Sequence, residues 1–255
     1  MSDTGEVVSE IRNAAATITF QHPKGNSLPK SQLQRLTEAF SQLSRYSDIR
    51  VVLLQSAGDG AFCAGASFDE LSDIDTFNKG KEFFMGFANV ILAMKNCPKF
   101  IITKVQGKAV GGGVGLIAAS DYVIASNKAA IKLSELDLGI GPFVVGPAIE
   151  RKIGKGAFSA LSIDTNWRDS EWSKLHGLFS EVAESKEELE TIVSDLCIKL
   201  SKTSPEAIAK LKSVLWENTD DWEELLNRRA ELSGRLVLSD YTRDFISSFR
   251  RQETK

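Results

Sequence analysis

The stretch from Lys108 to Asp121, with the sequence KAVGGGVGLIAASD, restricts most strongly what this chain can fold into. It follows an apolar run from Phe100 to Val105 that is typical of a buried strand. Three consecutive glycines, Gly111 to Gly113, then open a segment of helical composition. A glycine turn between a strand and a helix places backbone N–H groups at the positive end of the helix. We therefore expect this turn to receive a phosphate, a carboxylate or a developing oxyanion.

The spacing of these glycines excludes the two common nucleotide-binding turns. A dinucleotide-binding GxGxxG motif that begins at Gly111 requires a glycine at position 116, which is Leu116. A P-loop requires serine or threonine after its Gly-Lys pair, but Gly107 and Lys108 are followed by Ala109. Taken alone, the glycines could equally serve close packing of a strand on a helix, or a backbone with positive φ.

The overall composition is that of a globular protein and excludes several function classes. The chain has 255 residues, 42% of them hydrophobic, and a formal net charge of −3, which gives no general attraction for nucleic acid or an anionic membrane. No apolar run approaches the roughly 18–20 residues of a membrane helix. Three cysteines without CxxC spacing and two distant histidines favour neither a metal site nor a Ser-His-Asp triad. We expect reduced thiols, no secretory signal and a cytoplasmic location.

The order of predicted elements indicates an α/β protein. The first two-thirds of the chain alternates β-like runs, loops and helical patterns, whereas the last third is amphipathic helix throughout. We predict a core of residues 1–195 and a helical region of residues 196–255. The apolar faces of that region require a partner, which is either the core or another subunit.

A second glycine turn changes the interpretation of the first. The run from Val51 to Leu54 reads as another buried strand, and Gly65 and Ala66 lie in the turn beyond it. If the two strands lie in related sheets, backbone N–H groups from both turns can converge on one oxygen. That arrangement is an oxyanion hole suited to a thioester enolate.

Several motifs together resemble the crotonase superfamily, the enoyl-CoA hydratases and isomerases. The resemblance extends over essentially the whole chain, from the amino-terminal hairpin to LHGLF at residues 175–179. It is carried by AFCAGA at 61–66, SFDE at 67–70, KAVGGG at 108–113, and SE at 134–135 with LG at 138–139. It implies the crotonase fold, a ClpP-like α/β spiral of ββα units with an α-helical carboxy-terminal extension. Relatives form trimers through this extension, often paired into hexamers, so a homotrimer or hexamer is expected.

The resemblance also implies a site. The amides of Ala66 and Gly112 would hold the thioester oxygen of an acyl-CoA, and Glu135 would be the catalytic carboxylate. Coenzyme A would be part of the substrate, with no metal and no separate cofactor. Ala64 corresponds to the backbone that contacts the adenine, and Lys24 to a basic position near the CoA phosphates. The substrate-binding residues implied are Lys24, Ala64, Phe68, Gly111, Phe143, Phe249 and Arg251, the last two often facing a neighbouring subunit's CoA in relatives.

The acidic positions of the family narrow the reaction. Hydratases carry two glutamates; the second matches Glu135, but the first falls on Gly115, which has no side chain to orient water. A third acidic position, used by dienoyl-CoA isomerases and 3-hydroxyisobutyryl-CoA hydrolases, is Phe143 here. One carboxylate beside an oxyanion hole resembles the 3,2-enoyl-CoA isomerases. Burial against Ile140 and Phe143 is expected to raise the pKa of Glu135.

Two other functions stay open on the sequence. One is an enoyl-CoA hydratase that recruits Asp69 or Glu70 as its second carboxylate; the loop there carries Ser67 where relatives have an acidic residue. The other is a weakly catalytic acyl-CoA-binding protein.

Overall fold

The structure is a computed structural model that describes the backbone of residues 5–253 and the side chains of residues 5–248. The strands are β1 (Glu6–Arg12), β2 (Ala15–Gln21), β3 (Val51–Ser56), β4 (Phe100–Val105), β5 (Ala109–Val110), β6 (Tyr122–Ser126), β7 (Ala130–Lys132), β8 (Arg168–Asp169) and β9 (Glu181–Ala183). The helices are α1 (Lys30–Ser44), α2 (Phe68–Ser72), α3 (Phe77–Asn96), α4 (Gly112–Ala119), α5 (Gly146–Ile163), α6 (Ser170–Leu175), α7 (Lys186–Ser201), α8 (Pro205–Leu215), α9 (Trp222–Leu236) and α10 (Asp240–Glu253).

The strands form two sheets whose order follows the chain with few exceptions. The larger sheet has the order β1-β2-β3-β4-β6-β9, and the smaller has the order β5-β7-β8. Only the β1–β2 and β7–β8 pairs are antiparallel. The predicted amino-terminal hairpin is confirmed, and Asn13 turns it with a φ of 55°. This architecture is the α/β fold that the element order predicted.

The central strands are apolar on both sides because helices cover both faces of the larger sheet. On one face, strand residues such as Val52 and Leu54 belong to a core shared with α1 and α3. On the other face, Val51 and Ile102 pack against Leu189 of α7. Parallel strands buried on both faces read as continuous hydrophobic runs, which is why the sequence marks them clearly.

Helix α7 corrects the position predicted for the domain boundary. The division between residues 195 and 196 falls inside this single helix, which packs on the sheet with Leu189 and Val193. The amphipathic pattern shows that α7 has an apolar face, but a pattern cannot say which surface that face covers. The helix therefore belongs to the sheet layer, and the helices beyond it form the extension.

The extension packs onto the core of its own chain. Helices α3 and α9 cross backbone to backbone at two glycines: a Cβ atom on Gly80 would lie 2.9 Å from the carbonyl oxygen of Gly234. Helix α8 is tied down by a buried ion pair between Lys212 Nζ and Asp121 Oδ2, 2.9 Å apart. The sequence left open whether the apolar faces of the extension pack on the core or on another subunit. The core of the same chain covers a large part of these faces.

Two helical segments have notable ends or bends. Helices α2 and α3 are separate, and the side chain of Thr76 caps α3 by accepting from Lys79 N. Helix α5 is kinked at Gly154, whose φ is 77°. Among the described residues, no helix is long and apolar enough to cross a membrane.

Candidate active site

The two glycine turns are joined directly by backbone hydrogen bonds. Cys63 N donates to Lys108 O over 3.2 Å, and Val110 N donates to Cys63 O over 2.9 Å. The first turn is further held by Leu28, whose N–H donates to Gly65 O over 2.8 Å. Pairing of this kind fixes the first turn against the second, as the oxyanion-hole hypothesis requires.

Each turn presents one amide that has no hydrogen-bond acceptor among the described residues. Gly111, with φ 50°, precedes α4, so the amide of Gly112 lies in the first helical turn, where no intrahelical acceptor exists. In the other turn Gly65 has φ 93° and precedes Ala66. Among the described residues, the amides of Gly112 and Ala66 donate no hydrogen bond to a protein acceptor. Both residues line the same cavity of about 330 Å³.

Glu135 lines this cavity, and its carboxyl has a raised pKa. The residue as a whole is half-buried, but its Oε2 atom is fully buried and has no hydrogen-bond partner among the described residues. Burial raises the pKa of the Glu135 carboxyl to about 7, against a smaller opposing effect of the backbone amides of Glu135 and Ser134. The carboxyl lies over the turn, because a Cβ atom on Gly111 would be 2.9 Å from Glu135 Oε1. A carboxyl of this kind can both accept and return a proton near neutral pH.

The position of the missing hydratase glutamate is filled by another side chain. A Cβ atom on Gly115 would lie 2.5 Å from Cγ1 and 2.8 Å from Cβ of Val145, distances that real side chains do not adopt. Val145 itself lines the cavity. Val145 thus leaves no room for a side chain at position 115, and the cavity wall is apolar at this point.

The remainder of the cavity wall is largely apolar. Phe83 and Phe84 of α3 meet edge to face with centroids 5.2 Å apart, and Phe83 also meets Phe87 at 6.4 Å. The apolar side chains larger than alanine that line the cavity are Phe68, Leu71, Phe83, Phe84, Phe87, Val110, Leu138, Ile140, Pro142, Phe143, Val144, Val145 and Phe245. Such a wall provides an apolar surface suited to an acyl group.

The structure also places a second carboxylate at the cavity, which the sequence analysis missed. Asp137 lines it two residues after Glu135. Its Oδ2 lies 3.4 Å from Lys132 Nζ, and its Oδ1 accepts a hydrogen bond from Thr165 Oγ1 over 2.7 Å. In the sequence, the only sign that Asp137 belongs to the site is that it is two residues from Glu135. Proximity in sequence does not show whether a side chain faces the cavity.

Most of the predicted site residues line the cavity, but three of them do not or lie outside the described side chains. Glu135, Ala66 and Gly112 line the cavity, and so do Ala64, Phe68, Gly111 and Phe143. Lys24 does not line it: it is exposed and forms an ion pair with Asp69. Phe249 and Arg251 belong to α10, but their side chains lie outside the described residues.

The carboxylates proposed for a substitute hydratase pair are not brought into the cavity, which corrects that expectation. Asp69 is occupied by Lys24, and Glu70 Oε2 accepts a hydrogen bond from Lys30 N over 2.7 Å. The reason is that Ser67 caps α2 with its side chain, accepting from Glu70 N, so the acidic side chains of this helix point along the surface.

The carboxy-terminal extension contributes to the cavity of its own chain. Ser233 of α9 and Phe245 of α10 are both lining residues. The sequence indicated amphipathic helices here, but the crossing at Gly80 and Gly234 decides that one of them reaches the acyl pocket.

Comparisons with known proteins agree with this geometry. The family model described as enoyl-CoA hydratase/isomerase matches residues 10–240. A short-chain-enoyl-CoA hydratase from Clostridium acetobutylicum is 25% identical over 250 residues, covering 97% of this chain and 95% of that protein. The peroxisomal Delta(3,5)-Delta(2,4)-dienoyl-CoA isomerase of Arabidopsis thaliana is 27% identical, covering 88% of this chain and 84% of that protein.

The solved structures support the fold. A crystal structure of enoyl-CoA hydratase from Bacillus halodurans superimposes with a TM-score of 0.88 at 24% identity, covering 95% of this chain and 99% of that one. Two paired glycine turns with unpartnered amides, a buried carboxyl and an apolar acyl cavity thus stand on the fold of that family. The chain belongs to the enoyl-CoA hydratase/isomerase family, a family of acyl-CoA enzymes.

Proposed function

We propose that this protein is a 3,2-enoyl-CoA isomerase, which moves the double bond of a 3-enoyl-CoA into conjugation with the thioester. The observation that carries the proposal is the pair Gly115 and Glu135: one buried carboxyl faces the cavity, while Val145 fills the space of the second hydratase glutamate. The two relatives named above are a hydratase and an isomerase, so family membership by itself does not choose between these reactions.

The proposed reaction consists of two proton transfers. The Glu135 carboxylate takes a proton from C2, and the electron pair of that C–H bond moves into the thioester, giving a dienolate over C1 to C4. The amides of Ala66 and Gly112 donate hydrogen bonds to its oxygen. The protonated Glu135 then returns the proton at C4, and the double bond between C2 and C3 forms as the carbonyl is restored. The reaction needs no cofactor beyond the coenzyme A of the substrate.

The raised pKa of Glu135 suits both steps. A carboxylate whose pKa is about 7 is a stronger base than an exposed glutamate, yet it is ionised in about half the molecules at neutral pH. The apolar wall excludes water, which suppresses hydration of the product. The single carboxyl can serve C2 and C4 because a planar dienolate keeps both carbons on one face.

A second candidate is an enoyl-CoA hydratase in which Asp137 replaces the missing glutamate. The position of Asp137 at the cavity favours this candidate. Asp69 and Glu70 give it no support, because they do not line the cavity. Against it, both oxygens of Asp137 are already engaged by Lys132 and Thr165. A third candidate, a weakly catalytic acyl-CoA-binding protein, uses the same cavity without turnover.

One experiment separates these functions. The wild type and the variants Glu135→Gln, Asp137→Asn and Glu223→Gln are incubated with 3-hexenoyl-CoA and, separately, with 2-hexenoyl-CoA, and the products are quantified by mass spectrometry. Glu223 is an exposed control on α9. Isomerisation that is lost in Glu135→Gln and kept in the other two variants supports the proposal. Faster water addition to 2-hexenoyl-CoA, lost in Asp137→Asn, would replace it with the hydratase. Binding without turnover of either substrate would favour the third candidate.

A further inference from the structure

The hydroxyl of Ser233 is a buried polar group that the proposed proton transfers do not use. Ser233 lies on α9 and is 1% exposed. Its Oγ has no hydrogen-bond partner among the described residues. The residue nevertheless lines the acyl cavity. The unpartnered hydroxyl thus belongs to a residue that borders a space that a ligand can fill.

Two other helical serines of this chain satisfy their hydroxyls locally. Ser72 donates to Phe68 O over 2.7 Å, and Ser162 donates to Phe158 O over 2.8 Å, each bonding to the carbonyl four residues earlier. That local bond is the usual way in which a helical serine satisfies its hydroxyl. Ser233 makes no such bond in the described structure. Leaving a buried hydroxyl unpaired costs free energy, which a bound ligand oxygen would recover.

Ser233 lies far from the oxyanion donors. Its neighbour Gly234 touches α3 at Gly80, whereas the ring of Phe87 touches Gly112, where a Cβ atom would lie 2.1 Å from Phe87 Cε1. Gly80 and Phe87 are seven residues apart on α3, which corresponds to roughly 10 Å along the helix axis. The cavity therefore extends along α3 from the oxyanion donors to the level of Ser233.

The polar side chains of the cavity are unevenly distributed. Apart from Ser233, those that the structure describes all belong to residues 132–137, close to Glu135. The wall on the side of α3 is apolar. Outside residues 132–137, Ser233 is thus the one hydrogen-bonding side chain that the described residues contribute to the cavity wall, and small-molecule sites use a few such groups to fix orientation.

We propose that the Ser233 hydroxyl binds an oxygen carried by the acyl group several bonds from the thioester, so that the substrates are oxygenated acyl-CoA esters bearing a remote hydroxyl or carbonyl. The proposal rests on the proposed function for the position of the thioester at Ala66 and Gly112. At about 330 Å³ the cavity is at the lower end of the range for small-molecule sites, which favours a compact acyl group over a long chain.

The test compares substrates that differ only in the remote oxygen: 3-octenoyl-CoA, 7-oxo-3-octenoyl-CoA and 8-hydroxy-3-octenoyl-CoA. Isomerisation is measured for the wild type, for Ser233→Ala, and for Ser162→Ala as a matched control outside the cavity. We expect one or both oxygenated substrates to exceed the plain one by about 10-fold in kcat/KM in the wild type. Ser233→Ala should lose this preference, while Ser162→Ala should keep both the preference and the activity of the wild type on 3-octenoyl-CoA. The two oxygenated substrates distinguish a carbonyl from a hydroxyl ligand.

Binding is measured as a second readout, because it does not depend on turnover. Dissociation constants of octanoyl-CoA and 7-oxo-octanoyl-CoA are determined by calorimetry for the same three proteins. Suppose that the wild type binds the oxo ester preferentially, that Ser233→Ala loses this preference, and that the wild type isomerises neither ester. This outcome would support the role of Ser233 and overturn the proposed isomerase function. Isomerisation with no preference for an oxygenated ester, or a preference that Ser233→Ala retains, would overturn the Ser233 assignment alone. Thermal unfolding controls for folding. If the alanine variant does not fold, Ser233→Cys replaces it, because a thiol keeps the shape of the side chain but is slightly larger and a weaker hydrogen-bond donor. This variant should lose most of the preference.

Discussion

The Cγ1 atom of Val145 lies 2.5 Å from where a Cβ atom on Gly115 would be. Val145 begins α5 as its N-cap, and Gly115 lies inside α4, so this contact joins the two helices beside Glu135. The space for a second catalytic glutamate is thus occupied by a side chain that shapes the acyl cavity. A hydratase pair cannot be restored here without changing both residues.

The first prediction concerns this contact. Gly115→Glu alone should fold poorly, because overpacking against Val145 typically costs about 1–3 kcal/mol and a buried carboxyl adds to that cost. Gly115→Glu with Val145→Gly should recover much of the lost stability, since the nearest remaining atom of residue 145 would be Cα, at 3.7 Å. The measurement is thermal unfolding of both proteins.

The double variant also tests the catalytic meaning of Gly115. We expect it to add water to 2-hexenoyl-CoA faster than the wild type does, because it carries a carboxyl at both family positions. Gly115→Ala with Val145→Gly is the matched control, which opens the same space without the carboxyl. Equal hydration by the two double variants would show that the second carboxyl is not what limits this activity.

The second prediction is the pH dependence of isomerisation. Only the ionised form of Glu135 can take the proton from C2, and the pKa of this group is about 7. The value of kcat/KM should therefore rise with pH and reach half its plateau near pH 7. Glu135→Gln should lower kcat by about 10²–10⁴-fold and remove this dependence. A wild-type rate that does not change between pH 5 and 8 would contradict the assignment.

The third prediction concerns stability. The pKa of Glu135 is raised from 4.5 to about 7 in the folded protein, so between these values the folded state binds a proton that the unfolded state has released. The free energy of unfolding should therefore fall as pH rises from 4.5 to 7, by at most about 3 kcal/mol, and level off above 7. Glu135→Gln lacks this loss, so its stability relative to the wild type should be higher at pH 8 than at pH 5. Urea unfolding at both pH values measures the difference.

The fourth prediction uses two glycines with positive φ. A Cβ atom on Gly111 would lie 2.9 Å from Glu135 Oε1, whereas one on Gly154 meets nothing within 4 Å. Both alanine variants carry the cost of a left-handed backbone, but only Gly111→Ala displaces the carboxyl. We expect Gly111→Ala to lose about 100-fold in kcat and Gly154→Ala to stay close to the wild type. Similar kcat values for the two variants would show that the position of Glu135 is not critical.

The fifth prediction concerns the anchor of α8. Lys212 Nζ is buried with Asp121 and also donates to the carbonyl oxygens of Met94 and Lys99, each over 2.9 Å. Lys212→Met removes the cation that pairs with the buried Asp121 carboxylate and should lower the free energy of unfolding by about 3–5 kcal/mol. Lys210→Met, at an exposed position of the same helix, should change it by less than about 0.5 kcal/mol. A loss below about 1 kcal/mol for Lys212→Met would show that this pair does not anchor the helix.

Much of the fold was predictable because its signals are local. The parallel strands are buried on both faces and therefore appear as apolar runs, and Asn13 marks the hairpin. The boundary at residue 195 was misplaced because an amphipathic helix does not reveal which surface it covers, and α7 covers the sheet.

The cavity shows the same limit at the level of side chains. Glu135, Ala66 and Gly112 each belong to a short sequence motif, and all three line the cavity. Asp137 and Ser233 line the same cavity, but no motif contains them. Lys24, expected near coenzyme A, instead pairs with Asp69 outside the cavity.

The sequence by itself determined the chemistry of the turns: glycines that free two backbone amides, one glutamate, and no carboxyl at position 115. Only the tertiary structure decided what surrounds them. It buries Glu135 and so raises its pKa, puts Val145 against Gly115, and brings Ser233 from α9 to the wall of the cavity. The physical reason is that backbone conformation follows from local residue types, whereas desolvation and packing depend on side chains that are distant along the chain.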